Sequence, residues 1–219
     1  MKGTKDTTRR ERVVYDRMAS NYDEAMRPLE RLGLARLRAR TLAALPERSR
    51  ILEVGVGTGL NFAHYPRESG GAASELSREM LKIACGKQRP VGLHLVQARA
   101  EELPFDDASF DAAVATLVFC SVASPAKAFA ELCRVVRPGG TIALLEHVRP
   151  RGLLGPIFDL FSIFTVALFD DHFNRRTSTE ARRAGLELLR IERHLLGIIN
   201  IIVLKNSLES QVQSLESTD

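Results

Sequence analysis

The chain has 219 residues, 45% of them hydrophobic, and a formal net charge of +4. That size and apolar content suit one large domain with its own core and exclude a disordered chain. The three cysteines, Cys85, Cys120 and Cys133, are odd in number and lack metal-ligand spacing with the five histidines; they exclude a disulfide framework, predict no metal site and point to a reduced, cytoplasmic setting.

The opening MKGTKDTTRRER has no apolar signal core, and no run reaches the about 20 residues of a bilayer span, so an integral membrane protein is not expected. Residues 1–45 hold eleven Lys or Arg against six Asp or Glu, a net of +5 that leaves the remainder at −1. Helices are expected over roughly 7–45, within a helical cap of residues 1–48. There Leu29, Leu32, Leu37, Leu42 and Leu45 interleave with Arg31, Arg36, Arg38 and Arg40 as a basic amphipathic pattern. Two readings follow: a face lying on anionic lipid, or a cap helix with a solvated basic side. Nucleic acid is not an expected partner, since aromatics are few and no binding module is evident.

A core of residues 49–205 follows. Ile51, Leu52 and Val54 form an apolar run suited to a buried parallel strand, and Gly55, Gly57 and Gly59 then allow a ligand to lie on bare backbone. The third glycine of a dinucleotide fingerprint is replaced by Leu60, which disfavours NAD. Strands are expected to begin near 50, 72, 92, 110 and 140, alternating with helices near 60, 78 and 124, which implies a doubly wound sheet. The second strand is compositionally poor, because Gly70, Gly71, Ala72, Ala73 and Ser74 lack β-branched residues. Near the end, GLELLRIERHLL and GIINIIVLKN read as two paired strands, and residues 206–219 as a mobile polar tail.

The segments LEVGVGTG (52–59), ASELSREML with Glu75, ARAEELPF, SFDAAVATL and RVVRPGGTIALLEH resemble, in that order, the motifs of class I S-adenosylmethionine-dependent methyltransferases. The resemblance implies an α/β Rossmann-like fold, a seven-stranded sheet whose last strand is antiparallel, with the N-terminal helices as a cap. It implies S-adenosylmethionine as cofactor, S-adenosylhomocysteine as product, and contacts from Tyr22, Glu53, Gly55, Gly57, Gly59, Asn61, Glu75, Leu76, Met80, Ala100, Glu101, Thr116 and Leu117. Glu75 suits a ribose diol, since a carboxylate offers two acceptor oxygens. Met80 also fits a helix core. Where relatives carry Gly-Asp-Ala, this chain has Ala98, Arg99 and Ala100, so the adenine contact passes to Glu101 or a backbone carbonyl.

Residues 153–169 carry four of the ten phenylalanines in LLGPIFDLFSIFTVALF. Within an insert of residues 150–178 this segment reads either as a buried crossover helix or as a lid touching acyl chains. Arg149, Arg175 and Arg176 flank it, and guanidinium groups match phosphate. VYDRMASNYD, LEHVRP, the Phe-rich insert and HFNRRT are most similar to soluble bacterial phosphatidylethanolamine N-methyltransferases, a branch shared with quinone-ring C-methyltransferases. That likeness implies successive N-methylation of phosphatidylethanolamine by an enzyme peripheral to the inner membrane, with Tyr15, Tyr22 and His147 as catalytic candidates and no obligate protein partner. C-methylation of a ubiquinone or menaquinone precursor, a small-molecule or thiol acceptor, and a membrane adaptor without transfer activity are the alternatives.

Overall fold

The computed structural model describes residues 2–147 and 177–207. The Phe-rich segment, Arg149, Arg175, Arg176 and the tail beyond Ser207 lie outside the described residues.

Helix α1 (Lys2–Leu29) runs through a π-helical turn at Glu30–Leu34 into α2 (Ala35–Leu42). The helical run expected over 7–45 is interrupted at Gly33, whose φ of 129° lies outside helical space. The chain then alternates through β1 (Arg50–Val54), β2 (Gly70–Glu75), α3 (Arg78–Cys85), β3 (Leu93–Gln97), β4 (Phe110–Thr116), α4 (Pro125–Val135) and β5 (Val136–His147). After the insert come α5 (Thr177–Arg183), β6 (Leu186–His194) and β7 (Ile199–Asn206). The sheet has seven strands in the order β3-β2-β1-β4-β5-β7-β6, with β7 antiparallel to both neighbours. The reversal from β1 to β4 is the topological switch point of a doubly wound sheet, where ligands bind at the strands' carboxyl ends.

Alternate residues of the central strands feed opposite layers. Leu52, Val54, Ala113, Ala115, Ile142 and Leu144 face α4 with Phe129 and Leu132, whereas Ile51, Ala112, Val114 and Ala143 pack on Leu42 and Leu45. Both faces are covered, which is why these strands read as unbroken apolar runs. Each large aliphatic side chain so buried contributes about 1.5–3 kcal/mol.

Two expectations, the helix near 60 and a tail that begins at 206, are corrected. The poor second strand forms between β1 and β3, because its smallness is a packing requirement: a Cβ on Gly71 would collide with the Ile51 backbone, and Ala73 is fully buried. The helix expected near 60 is one 3₁₀ turn, Phe62–His64, since Pro66 and the start of β2 leave no room for more. Asn206, assigned to the tail, closes β7 and is buried, donating to the carbonyls of Cys133 and Val136 at 2.8 and 2.7 Å. The amphipathic pattern over 29–45 turns Leu34, Leu42 and Leu45 into the core and leaves Leu29 and Leu32 exposed.

Candidate active site

At the carboxyl end of β1 the backbone enters left-handed conformations. Gly57, with φ 55°, has no atom within 4 Å of where a Cβ would stand, whereas a Cβ on Gly59 would collide with the Phe62 ring. Gly59 therefore packs the loop, and Gly57 opens it to a cleft lined also by Tyr15, Tyr22, Glu75 and Thr116.

Glu75, at the end of β2, accepts the Gly57 N–H on Oε2 at 2.9 Å and the Ser77 N–H on Oε1 at 2.8 Å. Burial pushes its pKa up, opposed by these backbone donors. Each oxygen keeps a free lone pair, so the carboxylate retains two acceptor positions suited to a diol. Beyond it, Ala98 N–H donates to the Glu75 carbonyl at 3.1 Å, leading the wall into Arg99, Ala100 and Glu101. Glu101 Oε1 accepts the Ser124 N–H at 3.0 Å, tying this loop to the start of α4.

Across the switch point, β4 ends at Thr116, followed by Leu117 with φ 59°. Two contacts hold this strained residue. Its N–H donates to the Leu145 carbonyl at 2.7 Å, and the next two N–H groups, of Val118 and Phe119, donate to Glu146 Oε1 at 3.1 and 3.0 Å. Glu146 thereby fixes the loop after β4.

Helix α1 forms the roof. Tyr15 and Tyr22 line the cavity. The aspartates after them grip the rim: Asp16 accepts Ser77 Oγ at 2.6 Å, and Asp23 accepts Thr58 Oγ1 and Lys87 Nζ, both at 2.5 Å. A Tyr-Asp pair repeated after seven residues puts both pairs on one helical face. Burial pushes the Tyr22 phenol up to about 12, with the Arg38 charge opposing, so it stays neutral.

Beneath the glycine loop lies a buried polar network. Glu53 is fully buried, accepting Asn61 Nδ2 and Tyr65 OH, each at 2.7 Å. Asn61 also donates to Thr116 Oγ1 at 2.9 Å, and Arg38, 4% exposed, donates to Thr116 Oγ1 at 2.7 Å, Asn61 Oδ1 at 3.2 Å and Glu30 Oε1 at 2.9 Å.

Of the residues singled out in the sequence, Tyr15, Tyr22, Gly55, Gly57, Glu75, Leu76, Met80, Ala100, Glu101, Thr116 and Leu117 meet in the cavity wall. Glu53, Gly59 and Asn61 stand behind it and act on the loop. His147 is not in the wall: it ends β5, one strand beyond β4, opposite Ile199. Val54, Ser74, Ala98, Arg99, Val118, Ser121 and Val122 complete the lining, the last three without a sequence signal of their own. Arg38, read at first as one basic residue of an amphipathic face, is the network's centre; its only signal was a charge among core-facing leucines.

The site fits an elongated ligand with a diol at Glu75 and a chain crossing Gly57 toward Thr116. A family model described as a methyltransferase domain matches residues 52–144. The chain is 34% identical over 158 residues to a phosphatidylethanolamine N-methyltransferase of Cereibacter sphaeroides, covering 68% of this chain and 78% of that one. It is 31% identical over 161 residues to a ubiquinone/menaquinone biosynthesis C-methyltransferase of Idiomarina loihiensis, covering 68% of this chain and 64% of that relative, just under two thirds of its length. The crystal structure of an S-adenosylmethionine-dependent methyltransferase from Thermotoga maritima superposes with a TM-score of 0.69 at 20% identity, over 90% of this chain and 100% of that one, a likeness of fold.

Proposed function

The chain belongs to the class I S-adenosylmethionine-dependent methyltransferases, and from that premise we propose that it methylates the amine of phosphatidylethanolamine, successively toward phosphatidylcholine, at a membrane surface. S-adenosylmethionine supplies a methyl group on a sulfonium, a carbon open to in-line attack by a lone pair. Glu75 would hold the ribose, the Gly57 backbone the turn of the cofactor, and Ala100 and Glu101 the adenine side. Tyr15 and Tyr22 exclude water from above.

The observation that carries the nitrogen reading is the Tyr22 phenol, which lines the cavity from the roof helix. A neutral phenol oxygen accepts a hydrogen bond from an amine N–H and so aims the nitrogen lone pair, but it does not strip a proton from carbon at neutral pH. A primary ammonium has a pKa of about 10, and desolvation under α1 lowers it toward the neutral, nucleophilic form. As the N–C bond forms the C–S bond breaks, S-adenosylhomocysteine is left as a neutral thioether, and the ammonium product gives its surplus proton to solvent after release.

Similarity to the Cereibacter enzyme over most of its length supports the lipid acceptor. Arg149, Arg175 and Arg176 are assigned to the headgroup phosphate in this reading. Exposed Leu29 and Leu32, beside Arg27 and Arg31, favour contact with anionic lipid; among the described residues no helix is long and apolar enough to cross a membrane. The second reading, C-methylation of a quinone precursor, draws on the Idiomarina relative and requires a base to form a carbanion. Purified protein given methyl-labelled S-adenosylmethionine with phosphatidylethanolamine vesicles should yield labelled mono-, di- and trimethyl lipid. Label appearing only in a demethylmenaquinone arm would establish the second reading, and label in neither lipid nor quinone would sink both.

A further inference from the structure

The turn joining β6 to β7 holds an apolar side chain where the backbone disfavours one. Leu195, its first residue, has φ 47°, a left-handed conformation that a Cβ opposes. Its side chain is 65% exposed, so no packing offsets the strain, and strain that folding does not use points to function. Arg193 lies along the same turn, its Cδ 3.9 Å from where a Cβ on Gly197 would stand. The turn thus presents a leucine tip with an arginine stem beside it.

The fold sets this tip beside the mouth of the cleft. Ile199, the first residue of β7, stands opposite both His194 at the end of β6 and His147 at the end of β5, so the turn projects from the carboxyl edge of the sheet. Ile199 packs against the same apolar cluster, built on Leu34, as Met26 and Leu117, and Leu117 is part of the cleft wall. Met26 and Leu34 flank the kink between α1 and α2, whose residues Leu29 and Leu32 are exposed, Leu32 at 85%. Arg40 on α2 holds Glu192 on β6 at 2.7 Å, which ties the kink and the turn to one edge. Along that edge Glu30 is taken by Arg38, and Glu192 by Arg40 and Arg190, so Arg31, Arg36 and Arg193 remain as excess positive charge.

We propose that the β6–β7 turn is a second insertion point for an anionic bilayer. Leu195 enters the interface and Arg193 snorkels to the phosphates, so that turn and kink together set the cleft mouth against the lipid surface. The proposal rests on the membrane-surface part of the proposed function and gives it a contact outside the N-terminal helices. Charge names the occupant. Exposed leucines among arginines in excess suit a surface that is apolar beneath and negative at its headgroups, whereas a second copy of this chain would bring the same positive charge to the contact.

Flotation of the full chain with vesicles that contain no phosphatidylethanolamine reads binding apart from methyl transfer; one set holds phosphatidylglycerol in phosphatidylcholine, the other phosphatidylcholine alone. Leu195→Gly removes the side chain and relieves the left-handed strain, so it should melt near the parent while binding the anionic set about tenfold more weakly. Leu195→Phe should keep the binding. Arg193→Gln should weaken it about fivefold at low salt and hardly at all at about 0.5 M salt. Transfer to short-chain phosphatidylethanolamine dispersed as monomers should be unchanged in Leu195→Gly, and transfer to phosphatidylethanolamine in anionic vesicles should fall with binding.

Undiminished anionic binding by Leu195→Gly, equal binding of the unaltered chain to both vesicle sets, or no vesicle binding at all would overturn the proposal. So would a melting temperature well below the parent, which would show that the chain itself covers Leu195, or a sedimentation shift from dimer to monomer, which would show that a second copy does. Vesicle binding that depends on Leu195 in a protein that labels no phosphatidylethanolamine would overturn the acceptor reading and leave the docking surface standing.

Discussion

Asp23 of the roof helix and Thr58 of the glycine loop are joined by a 2.5 Å hydrogen bond, so the helix that covers the cavity is anchored to the loop that forms its floor. One turn pair earlier, Asp16 makes the matching link to Ser77. The roof is thus clasped along one edge by two carboxylates.

Replacing both aspartates, as Asp16→Asn with Asp23→Asn, should raise the S-adenosylhomocysteine dissociation rate severalfold and expose α1 to limited proteolysis, with little change in the melting temperature of the core. Stopped-flow release and a protease time course check this. An unchanged release rate would remove the clasp from the exchange pathway.

The same clasp has an acid limit. Burial pushes Asp23 up, but the hydrogen bonds from Lys87 and Thr58 outweigh it and hold the carboxyl below its ordinary 3.8. A depressed folded pKa contributes stability above the unfolded value and loses it as pH falls through the folded one. Docking of α1 should therefore be unchanged from pH 8 to 5 and weaken only below about pH 4, as protection of α1 amides from hydrogen exchange would report.

Glu53 behaves oppositely. Burial pushes it from 4.5 up to about 7, against the hydrogen bonds of Tyr65 and Asn61 and the charge of Arg38. Ionising it in the fold costs stability: the fold is favoured below pH 4.5 and loses about 3 kcal/mol of that advantage as pH rises through 7. Glu53→Gln should flatten this step. Denaturant unfolding of both proteins at pH 5.5 and 8 measures it, and equal pH dependence in the two would refute the assignment.

Gly57 and Gly59 should separate binding from folding. Gly57→Ala places a methyl in open cavity at a positive φ, costing about 1–2 kcal/mol of strain while obstructing the cofactor. Gly59→Ala drives a methyl into the Phe62 ring and should cost about 3 kcal/mol or more. The first variant should melt near the parent and lose S-adenosylhomocysteine binding, and the second should melt well below it.

Glu146→Ala removes the acceptor shared by the Val118 and Phe119 N–H groups. An unsatisfied buried donor costs about 1–3 kcal/mol, so with two donors chemical denaturation should show a loss of about 2–6 kcal/mol. Glu146→Gln keeps an acceptor oxygen and should recover most of it, together with the cofactor affinity lost when Leu117 is released.

Much of this site was legible in the residues because it is local. The strand before Gly55, the left-handed glycines and the carboxylate of Glu75 declare themselves by spacing, and the parallel core by its unbroken apolar runs. The Tyr-Asp repeat at 15–16 and 22–23 was legible only as two tyrosines, since nothing in one sequence says which residues of Thr58, Ser77 and Lys87 the aspartates will meet. The helix expected near 60 failed because periodicity does not count the residues available before Pro66.

By itself, then, the sequence determined what backbone and hydrophobic period decide: the alternation of strands with helices in the core, the glycine turn after β1 and the family. Tertiary structure alone decided the partners of Arg38, Asn61 and Glu146. Arg38 and Thr116 are far apart in the chain, and the same charge that would sit on a solvated face becomes a buried donor once α2 packs beside the end of β4. A side chain's partners are set by strands brought together from distant segments, and no spacing along the chain encodes them.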